Sequence, residues 1–245
     1  MRVRDFIILL IFTFTTALHS CVTDVEDPTP PPAPDWNYPS EAGAIPPEGV
    51  RAVEGEDGIR LEWQPFSDND INEVRIFRAD SAAVDFDRIG VVTEQNNLLE
   101  NFYEDFSAPL DTIVYYYLRA MDKSDNRSKI SETLRFNLLQ KPNLSEFEEP
   151  PPATPKFTWF IEPPGSNTLF YQIELTDASK NTVQISHLIQ RTGYGWREQE
   201  EWSFSDSLTP GAQYFWRVYA FGLLDSLNRP HAMSISNWRG FEVRE

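Results

Sequence analysis

Cysteine occurs once in this 245-residue chain, at position 21, and histidine three times. A single thiol excludes an internal disulfide framework, and three histidines leave little material for a zinc centre. Cations are scarce as well. Lysine and arginine together number 21 against 38 aspartates and glutamates, for a formal charge of −17 and a pI near 4.5. A surface of that sign repels phosphate backbones, so nucleic acid is excluded as a partner. No apolar run reaches the roughly 20 residues that a membrane-spanning helix requires. Gly-x-Ser-x-Gly elbows, phosphate-cradling glycine loops and dinucleotide fingerprints are missing too. What the chain does have is 40% apolar residues, 13% aromatics and 19 prolines. That composition argues against wholesale disorder and suffices for one large folded body or two smaller ones. The inventory points away from an enzyme, and no cofactor or metal is expected.

The amino terminus reads as an address. Arg2 and Arg4 precede an apolar run from Phe6 to Leu18, too short to span a bilayer and suited to the core of a signal peptide. Leu18-His19-Ser20-Cys21 follows, with the sole cysteine at its end. This segment resembles the lipobox of bacterial lipoproteins. The resemblance implies that residues 1–20 are removed and that Cys21 is lipidated, making the membrane a partner through its acyl chains. Each buried methylene contributes about 0.8 kcal/mol, so several chains anchor a protein durably. Val22 in place of an aspartate implies, by the same resemblance, the outer membrane. Asp24, Glu26 and Asp27 are similar to a surface-export signal, so the periplasmic face and the cell surface are both open. The alternative is an ordinary secretory signal with a cysteine nearby by chance.

Residues 21–44 are rich in proline (Pro28, Pro30, Pro31, Pro32, Pro34, Pro39) and acidic groups, with no lysine or arginine. Such a stretch favours an extended polyproline conformation and reads as a stalk. A second cluster, Pro150-Pro151-Pro152 with Pro155, reads as a boundary near the middle of the chain. The expected domains are 45–140 and 141–245. Ile59, Leu61 and Trp63 alternate with polar residues, as do Val74 and Ile76, and Val114, Tyr116, Leu118 and Ala120. A two-residue period of this kind marks half-buried strands. The second half repeats the layout with Phe157/Trp159, Tyr171/Ile173/Leu175 and Tyr214/Trp216/Val218/Ala220. The fold class is therefore all-β, with two tandem immunoglobulin-like β-sandwiches.

The first half resembles a fibronectin type III domain. Ile59-Arg60-Leu61-Glu62-Trp63 carries the core tryptophan, Val74-Arg75-Ile76-Phe77-Arg78 is similar to the family's third strand, and Tyr116 to Asp122 is similar to its penultimate strand. Val114 stands where the family has its corner tyrosine, so that corner must be held in another way. In the second half, Leu208-Thr209-Pro210-Gly211-Ala212-Gln213-Tyr214 resembles the corner segment. The resemblance implies a bond from the Tyr214 hydroxyl to backbone a few residues upstream. Ser236-Asn237-Trp238 and Phe241-Glu242-Val243 form the expected closing strand.

Chemistry-bearing constellations are few. His187 and His231 have no ligand-type neighbour at three or four residues. Asp68-Asn69-Asp70 and Asp122, Asp125 and Asn126 are candidate calcium loops, although turn chemistry explains them more simply. If Val114, Tyr116 and Leu118 face the core, then Phe77, Tyr115 and Tyr117 share the opposite face and form a candidate interaction face. Cross-strand stabilisation is the bland alternative, as it is for Phe215 and Tyr219 flanking Arg217. Tyr194, Trp196 and Trp202 are candidate glycan contacts, with Arg197 to bond hydroxyls; the alternative places Trp202 in the core and Trp196 at a sandwich end. The expected function is that of a membrane-anchored, non-catalytic cell-envelope protein acting as an interaction, adhesion or assembly module with other envelope proteins. A glycan-binding accessory protein is the alternative.

Overall fold

The computed structural model describes residues 28–37 and 49–245, except 68, 82–84, 95–99, 148, 163–166, 194–197 and 225–230. All regular elements among them are β-strands. The first half carries β1 (Val50–Ala52), β2 (Ile59–Glu62), β3 (Ile71–Ala79), β4 (Asp87–Thr93), β5 (Phe102–Asp105), β6 (Ile113–Asp122) and β7 (Leu134–Leu138). The second carries β8 (Asn143–Leu144), β9 (Lys156–Phe160), β10 (Phe170–Asp177), β11 (Thr182–Ile185), β12 (Ile189–Gln190), β13 (Glu200–Ser203), β14 (Gln213–Phe221), β15 (Ala232–Ile235) and β16 (Arg239–Glu242).

In the first sandwich β1-β2-β5 faces β7-β6-β3-β4. The alternating residues do what their period dictates: Ile59, Leu61, Trp63, Val74, Ile76, Val114, Tyr116 and Leu118 are all buried in one core. The corner that Val114 cannot hold is replaced by a buried carboxylate. Asp105 at the end of β5 accepts from the Tyr116 hydroxyl at 2.8 Å, Arg78 at 2.7 Å and the Ser107 hydroxyl at 2.7 Å. One side chain thereby ties β5 of one sheet to β3 and β6 of the other. Burial alone would push the Asp105 carboxyl upward; the bonds from Ser107, Arg78 and Tyr116 outweigh it and hold the group below its ordinary range.

In the second sandwich β8-β9-β13 faces β11-β10-β14, with β12 beside β10 and β16 beside β14. Phe157, Trp159, Tyr171, Ile173, Trp216 and Val218 fill its core. The Tyr214 hydroxyl accepts from the Thr209 N–H at 3.2 Å, the corner bond the sequence implies. The proline cluster lies inside this sandwich rather than at its border. Pro151 and Pro155 carbonyls accept from Arg244 and Phe204 N–H groups, stitching the β8–β9 connection to the body.

The halves do not follow one another as separate beads. β15 pairs parallel with β7, matching Ala232 with Asn137 and Met233 with Leu138, so four strands of the first half and six of the second merge into one ten-stranded sheet. Along β14 the alternation then serves two cores. Trp216, Val218 and Ala220 face the second, whereas Tyr219 and Phe221, with Met233 and Ile235, join the first. The cores therefore lie on opposite sides of the shared sheet. A strand end covered on both sides reads as a continuous apolar run, and Val218 to Phe221 is buried throughout.

The expected stalk ends earlier than its composition suggests. Pro31, Pro34 and Trp36 are buried, and Trp36 is 1% exposed within the first core, its indole N–H donating to the Glu132 carbonyl at 2.8 Å. Asn37 N–H donates to Glu62 and Gln64 N–H to Asp35, so residues 35–37 form a short extra rung on β2. Gly49 closes the contact. Its φ is +63°, and an added Cβ would stand 2.9 Å from that of Trp36. One indole thus offsets the ordering of a segment that has no other apolar anchor of its size.

Four buried serines share one device. Ser128, Ser131, Ser186 and Ser236 each donate their N–H to a carbonyl on the neighbouring strand, of Ala120, Leu118, Ile173 and Val218 respectively. Each Oγ accepts the N–H of that same residue at 2.9 to 3.0 Å. Each hydroxyl also donates to the next carbonyl in its own chain. The serine oxygen stands in for a strand carbonyl, so the chain leaves the ladder without orphaning the buried N–H opposite.

Candidate functional site

The outer face of β4-β3-β6-β7 is set by register. Val91, Arg75 and Arg119 form one row; Arg88, Phe77 and Tyr117 form the next; Ala79, Tyr115 and Arg135 the third; Ile113 and Asn137 the last. The three expected residues, Phe77, Tyr115 and Tyr117, are together on this face and half-buried, outside the core. Phe77 and Tyr117 stack at 4.7 Å with an 18° interplanar angle, and Phe86 closes on Tyr117 at 4.8 Å. Cross-strand pairing is thus part of what these rings do. Phe86 and the four arginines did not stand out in the sequence; the register of β4 against β3 is the signal that assembles them.

Below the third row the face runs into a groove of about 880 Å³ between the two sandwiches. Ile113, Leu169, Leu223 and Leu224 supply aliphatic walls, with Asp80, Asp111, Arg135 and Asn137 on the first-sandwich side. Ile113 is 46% and Leu223 75% exposed. Asn137 is buried, and its Oδ1 has no hydrogen-bond partner. Buried acceptors are ordinarily satisfied, so this one stands out.

The corresponding face of the second sandwich is used internally. Arg217 bridges Glu174 at 2.8 Å and Glu54 of the first sandwich at 3.0 Å, and its guanidinium lies 4.2 Å above Trp238. The Tyr219 hydroxyl donates to Glu174 at 2.6 Å; burial first, then that bond, pushes its ionisation upward. Phe215 carries the Lys180 ammonium at 3.8 Å. Lys141 adds a second bridge, to Asp57 at 3.3 Å and to the Gly55 carbonyl. These groups lock one half to the other.

Trp202, on β13, stacks on Phe157 at 5.6 Å and meets Phe204 edge-on at 6.0 Å, so it packs against the second core. Tyr194, Trp196 and Arg197 lie outside the described residues, as do Cys21, the segment 1–20 and Asp68. Asp122 spends its carboxylate on its own turn, accepting from Ser124 N–H, Asn126 N–H and Asn126 Nδ2 at 2.8 to 2.9 Å. Asp177 repeats this with Ser179 and Asn181. In both, the asparagine and backbone donors hold the carboxyl below its usual value. Among the described residues no group of three or more His, Cys, Asp or Glu side chains is arranged to hold a metal. No helix there is long and apolar enough to cross a membrane.

No protein-family model matches the chain, and no curated protein matches it in sequence. Solved structures do match. A β-1,2-glucanase from Parabacteroides distasonis is 23% identical over 45% of this chain, which spans only 14% of that enzyme, with a TM-score of 0.32. The FN1–FN3 domains of chicken CNTN1 are 15% identical over 87% of this chain and 68% of theirs, TM-score 0.31. An Fn3-like protein from Clostridium thermocellum is 16% identical over 49% of this chain and 98% of its own, TM-score 0.29. In each half of the present chain three strands face a larger layer: in the first, β7 lies beside β6 and β6 beside β3; in the second, β15 and β16 both lie beside β14, and β14 beside β10. By that order the chain is an all-β protein built of two fibronectin type III-like, immunoglobulin-like β-sandwiches.

Proposed function

We propose that this chain is a lipid-anchored, non-catalytic module of a bacterial envelope, held to the outer membrane through Cys21 and docking other envelope proteins. The observation that carries the reading is the outer face of β4-β3-β6-β7. There Phe77, Tyr115 and Tyr117 stand among arginines beside an unfilled groove, the residue types that dominate binding hot spots. The lipobox-like Leu18-His19-Ser20-Cys21 supports the anchor. Pro31 is the first buried residue among those described. The tether from Cys21 to it is about ten residues and reaches at most roughly 35 Å. Anchoring on so short a lead confines the face to a thin layer, which raises its effective concentration toward any co-anchored partner.

Photo-crosslinking in cells tests the docking half. A crosslinker in place of Phe77 is expected to trap an envelope protein, and one in place of Arg51, on the opposite layer, is not. Equal adducts at both sites, or none, would refute it. Fractionation tests the anchor: Cys21→Ser should move the protein out of the membrane fraction, and an unchanged distribution would remove lipidation from the reading.

A further inference from the structure

The charge of the docking face runs against that of the chain. In a protein of net charge −17, Arg75, Arg88, Arg119 and Arg135 all lie on the outer side of β4-β3-β6-β7. Arg75 and Arg119 are directly opposite one another on β3 and β6. Like charges so placed destabilise a sheet. Arg75 has Glu73 for a partner. Arg119 makes no ion pair among the described residues, and its Nε is buried without an acceptor. A guanidinium without a carboxylate partner of its own is suited to pair with an incoming anion.

The aromatic rings sharpen the chemistry. Phe77 and Tyr117 turn their faces to each other, and Phe86 closes on Tyr117 from another side. A sugar stacks on a free ring face, and the Phe77–Tyr117 stack already takes up one face of each of these rings. The adjoining groove has aliphatic walls from Ile113, Leu169, Leu223 and Leu224, with the carboxylates of Asp80 and Asp111 also in its lining. Resting on the docking reading above, we propose that this face binds an acidic polypeptide segment. Its Asp or Glu carboxylates bridge Arg75 and Arg119, and an apolar side chain lies past Tyr115 against Ile113 in the groove. The bidentate fork of arginine suits carboxylates in this role.

The test uses the full mature chain and a short fluorescein-labelled peptide of alternating Glu and Leu, followed by polarisation. The matching Gln/Leu peptide and polygalacturonate serve as comparisons. The Glu peptide should bind with an affinity that falls as salt rises, and the other two should not compete. Arg75→Gln and Arg119→Gln should each weaken binding about tenfold or more, while Lys156→Gln should not. Arg119→Gln should not melt lower than the parent, because it relieves a like-charge pair and breaks no ion pair, whereas Arg75→Gln also gives up the bond to Glu73. Equal binding of the Gln peptide, tighter binding of polygalacturonate, unchanged affinity in the arginine variants, or a lowered melting temperature of Arg119→Gln would each overturn the proposal. The cellular crosslink separates it from the broader reading. Adducts at Phe77 that survive Arg119→Gln at full yield would remove the acidic partner and leave the docking face; an absence of adducts would remove both.

Discussion

Replacing Ser236 with alanine isolates the one-atom substitution on which the closing strand of the second sandwich turns. In the parent, Ser236 Oγ accepts the Val218 N–H at 3.0 Å, and Val218 is wholly buried in the second core. Alanine keeps the backbone bond from Ser236 N–H to the Val218 carbonyl but leaves the Val218 N–H without an acceptor and out of reach of water. A buried donor left unmade costs about 1–3 kcal/mol. For a body of this size that corresponds to a fall of roughly 2–12 °C in melting temperature. Thermal or urea unfolding measures it, and amide exchange at Val218 should quicken relative to its neighbours on β14. Ser207, exposed and bonded only at 3.5 Å, is the control, and its alanine variant should stay within about 0.5 kcal/mol of the parent. A Ser236→Ala protein as stable as the Ser207→Ala protein would refute the claim that the hydroxyl substitutes for a strand carbonyl.

Asp105 supplies a pH-dependent prediction. Its carboxyl is depressed in the folded state, so its contribution is present above its unfolded value of about 3.9 and is lost as pH falls through the folded one. Tyr116→Phe removes one donor and should shift acid unfolding to higher pH, read by circular dichroism. Asp105→Ala, which strands Arg78 and Tyr116, should cost about 3–5 kcal/mol at neutral pH. Trp36→Ala should cost about 3–5 kcal/mol in urea, whereas a true stalk residue would cost nothing measurable. Residues 141–245 expressed alone should bind a hydrophobic dye and self-associate, because Tyr219, Phe221, Met233 and Ile235 lose their cover; a clean monomer would contradict the shared sheet.

Strand period was legible because it is local. The alternation at 59–63, 74–77 and 114–120 fixes which residues face in, and from it the outward placement of Phe77, Tyr115 and Tyr117 follows. The Tyr214 corner was legible because its partner, Thr209, is five residues away. What failed depended on distant partners. Trp36 sits in a segment whose average composition is that of a linker, and one indole does not change an average. Tyr219 reads as an outward residue until the first core is known to lie on that side; the uninterrupted run Val218-Tyr219-Ala220-Phe221 was the available sign. The serine substitutions gave no signal, since serine is as common in turns as here. The arginine row emerges only when β4, β6 and β7 are set beside β3.

Joining β7 to β15 also decides where the merged sheet ends. Apart from the short side strands β12 and β16, its margins are β4 and β11. Each holds one surplus residue: Ile89 is passed over between the pairs Ile76–Gly90 and Phe77–Arg88, and Val183 between Leu175–Gln184 and Thr176–Thr182. A surplus residue bends a marginal strand and interrupts its row of free N–H and C=O groups, which denies a straight template to a neighbouring molecule. Copies crowded together at high local density thus meet two crooked borders instead of two sticky ones.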